Sequence, residues 1–360
     1  MEFLVFEDVL FPLCDALLTV TDRFASHIHI FHPYPHHDTG LATKLKESGL
    51  SAPDFLASIE LLIVDNADVI AMQNWSHLQT VLDAINMIPK KHTDVDVMRV
   101  RENHLEGLAK HHRQTVFLSS YQSPEINALS RTCHNVAGRI KYRVNNYPGV
   151  LGRATAANGS SRLRFDRIPD VYVGVDEQSN QSGEGSKNLV ALSDDARFKH
   201  FCKFTLPRLR ENPRAGTVVF IPSYFDFVRV RNLLTETELS FAVASEYTPP
   251  RDAARARTIF ADGRKRVLLV TERAHFYHRR KVKGVREVVF YGPPEHPEYF
   301  AEFVEFAASN TSGSGSNNSE TTATCAFAKL DGLRLERIVG TQRAKKMLAP
   351  DANSAFVFTA

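Results

Sequence analysis

The side chains best placed for chemistry are Asp65, Asn66 and Asp68, in the stretch Ile59-Glu-Leu-Leu-Ile-Val-Asp-Asn-Ala-Asp-Val-Ile-Ala-Met72. Four apolar residues, Leu61 to Val64, run straight into the acids. A short apolar run ending in acid fits a buried parallel strand whose carboxyl end opens onto a cleft. In open α/β sheets ligands bind at that end. Asn66, between the two carboxylates, can give and accept hydrogen bonds, but a neutral amide cannot work as a general base. A second apolar run, Gln114-Thr-Val-Phe-Leu-Ser-Ser-Tyr121, ends in the hydroxyls of Ser119 and Ser120. Taken alone, such a pair is more often a helix cap than a site.

The second half of the chain offers strand-end hydroxyls and cations. Ser223 and Tyr224 follow the run Gly216–Ile221, and Arg229 lies on the helix expected at 224–234. Thr271 and Arg273 end the strand expected at 266–273. Arg279, Arg280 and Lys281 then fall in the basic, aromatic stretch His275-Phe-Tyr-His-Arg-Arg-Lys281, read as a loop. These positions resemble the RNA surface of helicases, where strand-end hydroxyls and loop arginines grip one backbone without reading sequence, and the resemblance implies that they are RNA-binding candidates. Aromatics beside cations, here Phe276 and Tyr277, suit stacking. Protein is the competing counterpart for this loop and for the basic helix expected at 333–347.

The elements that must position these residues follow from periodicity. Strands alternating with helices about every 20–25 residues imply a parallel α/β sheet. The first half is expected at 55–144, with a helix over 69–87 centred on Trp75, Leu78, Leu82 and Ile85, a second helical stretch over 100–112, and a basic strand over 138–144. Residues 145–190 have loop composition and read as a linker, partly disordered, with one strand at 171–175. The second half is expected at 191–348, opening with a helix capped by Ser193. It contains a low-complexity loop at 309–322. Residues 349–360 read as a peripheral tail. Residues 1–54 are the least legible: Met1–Val20 has near-helical apolar spacing, no strand is recognisable, and the His-rich run 27–37 with its two prolines reads as an ordinary loop rather than a metal site.

At 360 residues the chain is long enough for two domains, and 43% hydrophobic with 24% charged residues is ordinary globular composition. A net charge of +3 announces no basic tail. No apolar run reaches the roughly 18 residues of a membrane helix. The first twenty residues carry Glu2, Glu7, Asp8 and Asp15 and no basic residue, the pattern of neither a secretory signal nor a transit peptide. Four scattered cysteines without a C-x-x-C pair point to a reducing compartment and no zinc ribbon.

The run ending Asp65-Asn-Ala-Asp68 resembles the second motif of superfamily-2 helicases. There the first Asp holds Mg²⁺ through water and a Glu polarises the attacking water; here that Glu is Asn66. Ser119 and Ser120 resemble the Ser-Ala-Thr motif that couples the two helicase halves, with Tyr121 in place of Thr. No G-x-x-x-x-G-K-[S/T] phosphate loop occurs in the sequence. Where the last helicase motif would supply arginines to the γ-phosphate, the sequence reads Tyr291-Gly-Pro-Pro-Glu-His-Pro-Glu298. Such chemistry needs Lys, Arg and metal together.

Several stretches jointly resemble one family, the digestive-organ-expansion-factor or U3 small-nucleolar-RNA-associated protein 25 group. They include Asn66-Ala-Asp-Val-Ile-Ala-Met-Gln-Asn-Trp75, Cys133-His-Asn135, Phe220-Ile-Pro-Ser-Tyr-Phe-Asp-Phe-Val-Arg229, Thr271-Glu-Arg-Ala-His-Phe-Tyr277 and Leu335-Glu-Arg-Ile-Val-Gly-Thr341. The resemblance implies two helicase-like, RecA-like α/β domains, the first incomplete or diverged. It implies a catalytically degenerate nucleolar protein of the small-subunit processome, needed for pre-ribosomal-RNA processing toward 18S RNA. Its partners would be pre-rRNA, the U3 ribonucleoprotein surroundings and other processome proteins, with no membrane, no metal and no cofactor. An active RNA-dependent ATPase and a protein-only interaction module are the alternatives.

Overall fold

The computed structural model describes residues 3–5, 28–31, 59–73, 75–88, 100–156, 161–169, 189–211, 216–311, 321–349 and 354–359. The chain divides into two compact units, Met1–Val144 and Asn145–Ala360. Each is an α/β unit built on a parallel sheet, the fold class expected from the strand and helix alternation.

The first unit carries four parallel strands in the order β1-β4-β3-β2, where β1 is Phe3–Val5, β2 Ile28–Phe31, β3 Leu61–Val64 and β4 Gln114–Leu118. Two strands therefore lie inside residues 1–54, where none was expected. They are three and four residues long, too short for a period to declare itself, and β2 interrupts its apolar run with His29. A strand thus also stands in the first twenty residues, which suggested a helix, and another in the His-rich run read as loop. The rest of both stretches lies outside the described residues. Helices α1 (Ala67–Gln73), α2 (Trp75–Ala84) and, after the single turns α3 (Glu102–Leu105) and α4 (Ala109–His112), α5 (Pro124–Thr132) follow. Leu62, Val64 and Phe117 of the sheet close on Ala67, Leu78, Val81, Ile126 and Leu129. The basic stretch 138–144 is irregular and largely exposed rather than a strand.

The second unit has seven strands in the order β11-β5-β10-β9-β6-β8-β7. They are β5 Ser161–Arg167, β6 Thr217–Ile221, β7 Phe241–Ala244, β8 Val267–Thr271, β9 Glu287–Phe290, β10 Thr321–Phe327 and β11 Ala355–Thr359. All neighbours run parallel except β11, which is antiparallel to β5. The helices are α6 (Leu151–Ala156), α7 (Leu189–His200), continued through a π-turn into α8 (Leu206–Glu211), α9 (Tyr224–Glu236), α10 (Pro250–Ala261), α11 (Glu272–His278), α12 (Pro297–Thr311), α13 (Gly332–Val339) and α14 (Thr341–Leu348). Alternate residues of the central strands face opposite layers. Val218, Phe220, Leu268, Val270, Val288 and Phe290 face one core, and Val219, Ile221, Val267, Leu269, Val289 and Tyr291 the other. Burial on both faces explains why these strands read as unbroken apolar runs.

Four expectations are corrected here. Residues 145–190 are not simply a linker, since they supply α6 and β5 to the second unit; the strand expected at 171–175 lies outside the described residues. The 349–360 tail supplies β11, which pairs with β5 along five residues. Ser193 does not cap a helix start: α7 begins at Leu189, and Ser193 is buried within it. The single basic helix at 333–347 is two, because Gly340 adopts φ +91° between them. A Cβ there would stand 2.8 Å from the Pro148 carbonyl oxygen, a contact that reserves the position for glycine. The expected low-complexity loop falls mostly in 312–320, outside the described residues.

Candidate functional site

In the first unit the acidic residues sit at the carboxyl end of β3, the position their sequence pattern implied. Asp65 accepts from both ends of its neighbour: the Asn66 backbone N–H donates to Oδ1 at 2.8 Å and the Asn66 side-chain amide to Oδ2 at 3.2 Å. Asn66 stands in the left-handed region at φ +49°, and its carbonyl accepts the N–H groups of Val69 and Ile70 as α1 begins. Asn is among the few residues that tolerate this conformation cheaply. Asp68 points back to Ser119 of the adjacent strand end at 3.4 Å, a distance too long for a strong O–H···O bond. The Ser119 hydroxyl instead donates to the Tyr121 carbonyl at 2.7 Å and is buried. The acids and Ser119 therefore do converge. The carboxylate best placed to hold a cation through water already accepts two hydrogen bonds.

In the second unit the strand-end residues converge across the adjacent tips of β6, β8 and β7. Tyr224, after β6, meets Tyr247, after β7, edge to face at 4.7 Å and stacks on Phe227 at 5.7 Å. Between them the Thr271 hydroxyl, at the end of β8, donates to Glu246 Oε2 at 2.6 Å and accepts from the Ala274 N–H, starting α11. Ser223 marks the start of α9 without a side-chain cap. Phe225 beside it is 83% exposed and Tyr247 69%, so the tip presents bare aromatic rings. Sequence reasoning missed Phe225, Tyr247 and Glu246; only the strand order β6-β8-β7 brings them together.

The cations divide into two groups. Arg229 is bound to Asp195 at 2.7 Å and lies over the Phe198 ring. Burial works against its charge, and the carboxylate more than compensates, raising its pKa. Arg279 gives Glu302 two hydrogen bonds, at 3.2 and 2.7 Å, while the buried His275 meets the other Glu302 oxygen at 2.8 Å. Burial pushes the Glu302 carboxyl up, but the hydrogen bonds from His275 and Arg279 outweigh it and hold it below the usual range. Arg279 is a structural clamp as much as a surface cation. His275, Phe276, Tyr277 and His278 belong to α11 rather than to a loop, with Arg279 its left-handed C-cap. Arg273 lies over Tyr277 at 5.8 Å. Arg280 and Lys281 are exposed.

At the end of β9, where the last helicase motif would supply arginines and the local sequence has none, Arg334 and Arg337 reach in from α13 and hold Glu295, Arg337 at 3.2 Å. Glu272 is buried and accepts the N–H groups of Glu295 and His296 at 3.1 Å each. Carboxylates anchor this strand end.

Two models of one protein family match the chain. The one described as "UTP25, NTP hydrolase-like domain" matches residues 39–140, and the one described as "Utp25, C-terminal domain" matches 182–358. Among curated proteins, "Protein NUCLEOLAR FACTOR 1" of Arabidopsis thaliana is 36% identical over 92% of this chain and 40% of its own length. "U3 small nucleolar RNA-associated protein 25" of Pyrenophora tritici-repentis is 39% identical over 82% of this chain and 42% of its own. The chain thus spans about two fifths of the curated relatives it matches. Solved structures give looser likenesses. A DEAD box protein from Methanococcus jannaschii has a TM-score of 0.32 and 12% identity, over 96% of this chain and 77% of that one. The yeast DEAD-box splicing factor Prp28 has a TM-score of 0.36 and 10% identity, over 98% and 68%.

Proposed function

The chain belongs to the Utp25 family, and from that premise we propose that it is the α/β part of a ribosome-biogenesis factor that works without catalysing a reaction. In this reading it is a pseudo-helicase scaffold of the nucleolar small-subunit processome, binding RNA and processome proteins during pre-rRNA processing toward 18S RNA. The names of the relatives, a nucleolar factor and a U3 small nucleolar RNA-associated protein, support the compartment and the assembly.

The observation that carries the reading is the pairing of Asp65 with Asn66. Where a hydrolase needs a carboxylate to take a proton from water, this site has an amide, and the amide is turned onto its own neighbour. At the second strand end Arg334 and Arg337 are both engaged by Glu295, whereas phosphoryl transfer calls for cations that meet the transferred group. Exposed aromatics and cations at the strand tips of the second unit support a role in RNA binding.

The test is gentle affinity purification of the protein from cells, with sequencing of the co-purified RNA. Enrichment of U3 and 18S precursors is the expected result. Recovery of messenger RNA, or of no RNA, would overturn the functional reading and leave the fold standing.

A further inference from the structure

Charge is unevenly spread along the chain. Residues 251–286 hold twelve lysines and arginines against three acids, a net of +9 in a chain whose total is +3. One of those acids, Glu272, is buried and bonded to backbone. In space this segment is α10, β8, α11 and the return to β9; α10 and β8 lie at the β7 edge of the second sheet, and the return runs from there toward β6 and β9. α10 packs on β7 and β8, and Gly284 of the return comes close enough to α10 that a Cβ on it would meet Ala261 at 3.0 Å.

A concavity opens in this edge, between α10 and residues 278–282. Its floor is apolar, made by Ala244, Leu268, Val270 and Val282. Its polar wall is Arg257, Arg280, His278 and Ser245. Arg257 and Arg280 both line it, and among the described residues neither has a carboxylate within 4 Å. Burial, and then the neighbouring Arg280, make the Arg257 charge harder to hold and lower its pKa. This contrasts with Arg229 and Arg279, each tied to a carboxylate. Two guanidiniums brought together with no counter-charge repel each other, and a bound anion with several acceptor oxygens relieves the repulsion through charge-assisted, forked hydrogen bonds. A phosphodiester fits that description, and the surrounding cations supply the extended field that a polyanion needs.

We propose that Arg257 and Arg280 form a phosphate-binding centre and that an RNA backbone docks along the β7 edge of the second unit through it. This rests on the RNA-binding part of the functional reading and moves the principal contact away from the strand tips. There the Thr271 hydroxyl is engaged by Glu246, and a carboxylate faces any incoming phosphate.

The experiment is fluorescence anisotropy of the 360-residue chain with a labelled single-stranded RNA, repeated across salt concentrations. Arg257→Glu and Arg280→Glu are compared with Lys346→Glu, the same charge change on an exposed residue of α14, with circular dichroism confirming that each is folded. Each of the first two is expected to weaken binding on the order of tenfold and to flatten the salt dependence by about one unit of log–log slope. Lys346→Glu should change affinity less than threefold, and Arg257→Lys, which keeps the charge but not the forked donor, should fall between the unaltered chain and Arg257→Glu. If the unaltered chain binds RNA and Arg257→Glu and Arg280→Glu bind with its affinity and slope, the site is overturned while RNA binding stands. If the unaltered chain binds no RNA at about 50 mM salt, RNA binding is overturned with it. Binding of polyglutamate in place of RNA, with the same dependence on the two arginines, would overturn the assignment to RNA in favour of an acidic protein.

Discussion

The Thr271 hydroxyl donates to the Glu246 carboxylate at 2.6 Å, across the tips of neighbouring strands β8 and β7. The hydroxyl that the family resemblance assigns to a nucleic-acid backbone is thus engaged, and its partner carries the wrong charge for phosphate. Glu246→Gln keeps an acceptor for Thr271 and removes the charge. RNA affinity is expected to rise about two- to threefold at low salt and to converge with the unaltered protein as salt screens the difference. Anisotropy titrations at two salt concentrations check this.

Restoring the missing acid should not restore hydrolysis. Asn66→Glu supplies a carboxylate, but at φ +49° a Glu strains the backbone by about 1 kcal/mol. Arg334 and Arg337 at the end of β9 stay engaged by Glu295. Neither the unaltered chain nor Asn66→Glu is expected to release phosphate from ATP faster than a blank, with or without RNA. RNA-stimulated release that Asp65→Ala abolishes would contradict this. In urea denaturation Asn66→Glu should be less stable by about that 1 kcal/mol, while Asn66→Gly, which gives up the amide bond to Asp65 but no backbone strain, should lose less.

The ion pair of Arg197 and Asp331, 2.7 Å long and with both side chains under 10% exposed, joins α7 to the turn before α13. Asp331 also accepts the Ala328 N–H at 2.8 Å. Asp331→Ala strands a guanidinium in the interior and should cost about 3–5 kcal/mol of the second unit's stability. Gly292 belongs to the same arrangement, because a Cβ there would stand 2.5 Å from Arg197 Nη1. Gly292→Ala is expected to be destabilising through the same pair, and combined with Asp331→Ala it should add less than its separate cost. Urea denaturation of the single and double variants measures both.

His200 gives the second unit a pH dependence. Burial lowers its pKa, outweighing the pull of Asp166, and Arg164 and Arg197 act in the same direction as burial. The unfolded chain, with His200 near its ordinary pKa of about 6.5, takes up a proton before the folded one does. Stability from this group is present above about pH 6.5 and falls as pH drops toward the lowered value. Melting temperatures between pH 7.5 and 5.5 should decline, and His200→Gln should flatten that decline.

What the sequence disclosed follows from which forces left a local trace. The central strands β6, β8 and β9 are buried on both faces, and their apolar runs were legible at once. Asp65 and Asn66 were legible because an acid cannot follow such a run without a reason. The edge strands were not. β2 carries His29, β5 reads Ser-Arg-Leu-Arg-Phe-Asp-Arg, and β11 sits in what read as a tail. Their identity comes from partners far away in sequence rather than from their own pattern. The same holds for the cations: Arg229, Arg279 and Arg280 look alike in the sequence, and among the described residues only the positions of Asp195 and Glu302 set the first two apart. Arg257, on a helix with no motif around it, gave no signal at all.

β5 lies between β10 and β11, and the C-terminal family match begins at residue 182, after β5 has passed. A fragment cut at that boundary would keep both flanking strands and lose the one that joins them. β10 would be left with an unpaired row of amides along seven residues, and β11 with nothing to pair with. Exposed edges of that kind recruit strands from other molecules. A recombinant second half should therefore begin at Asn145, keeping α6 and β5; begun at 182, it would be prone to precipitate or to exchange strands between copies.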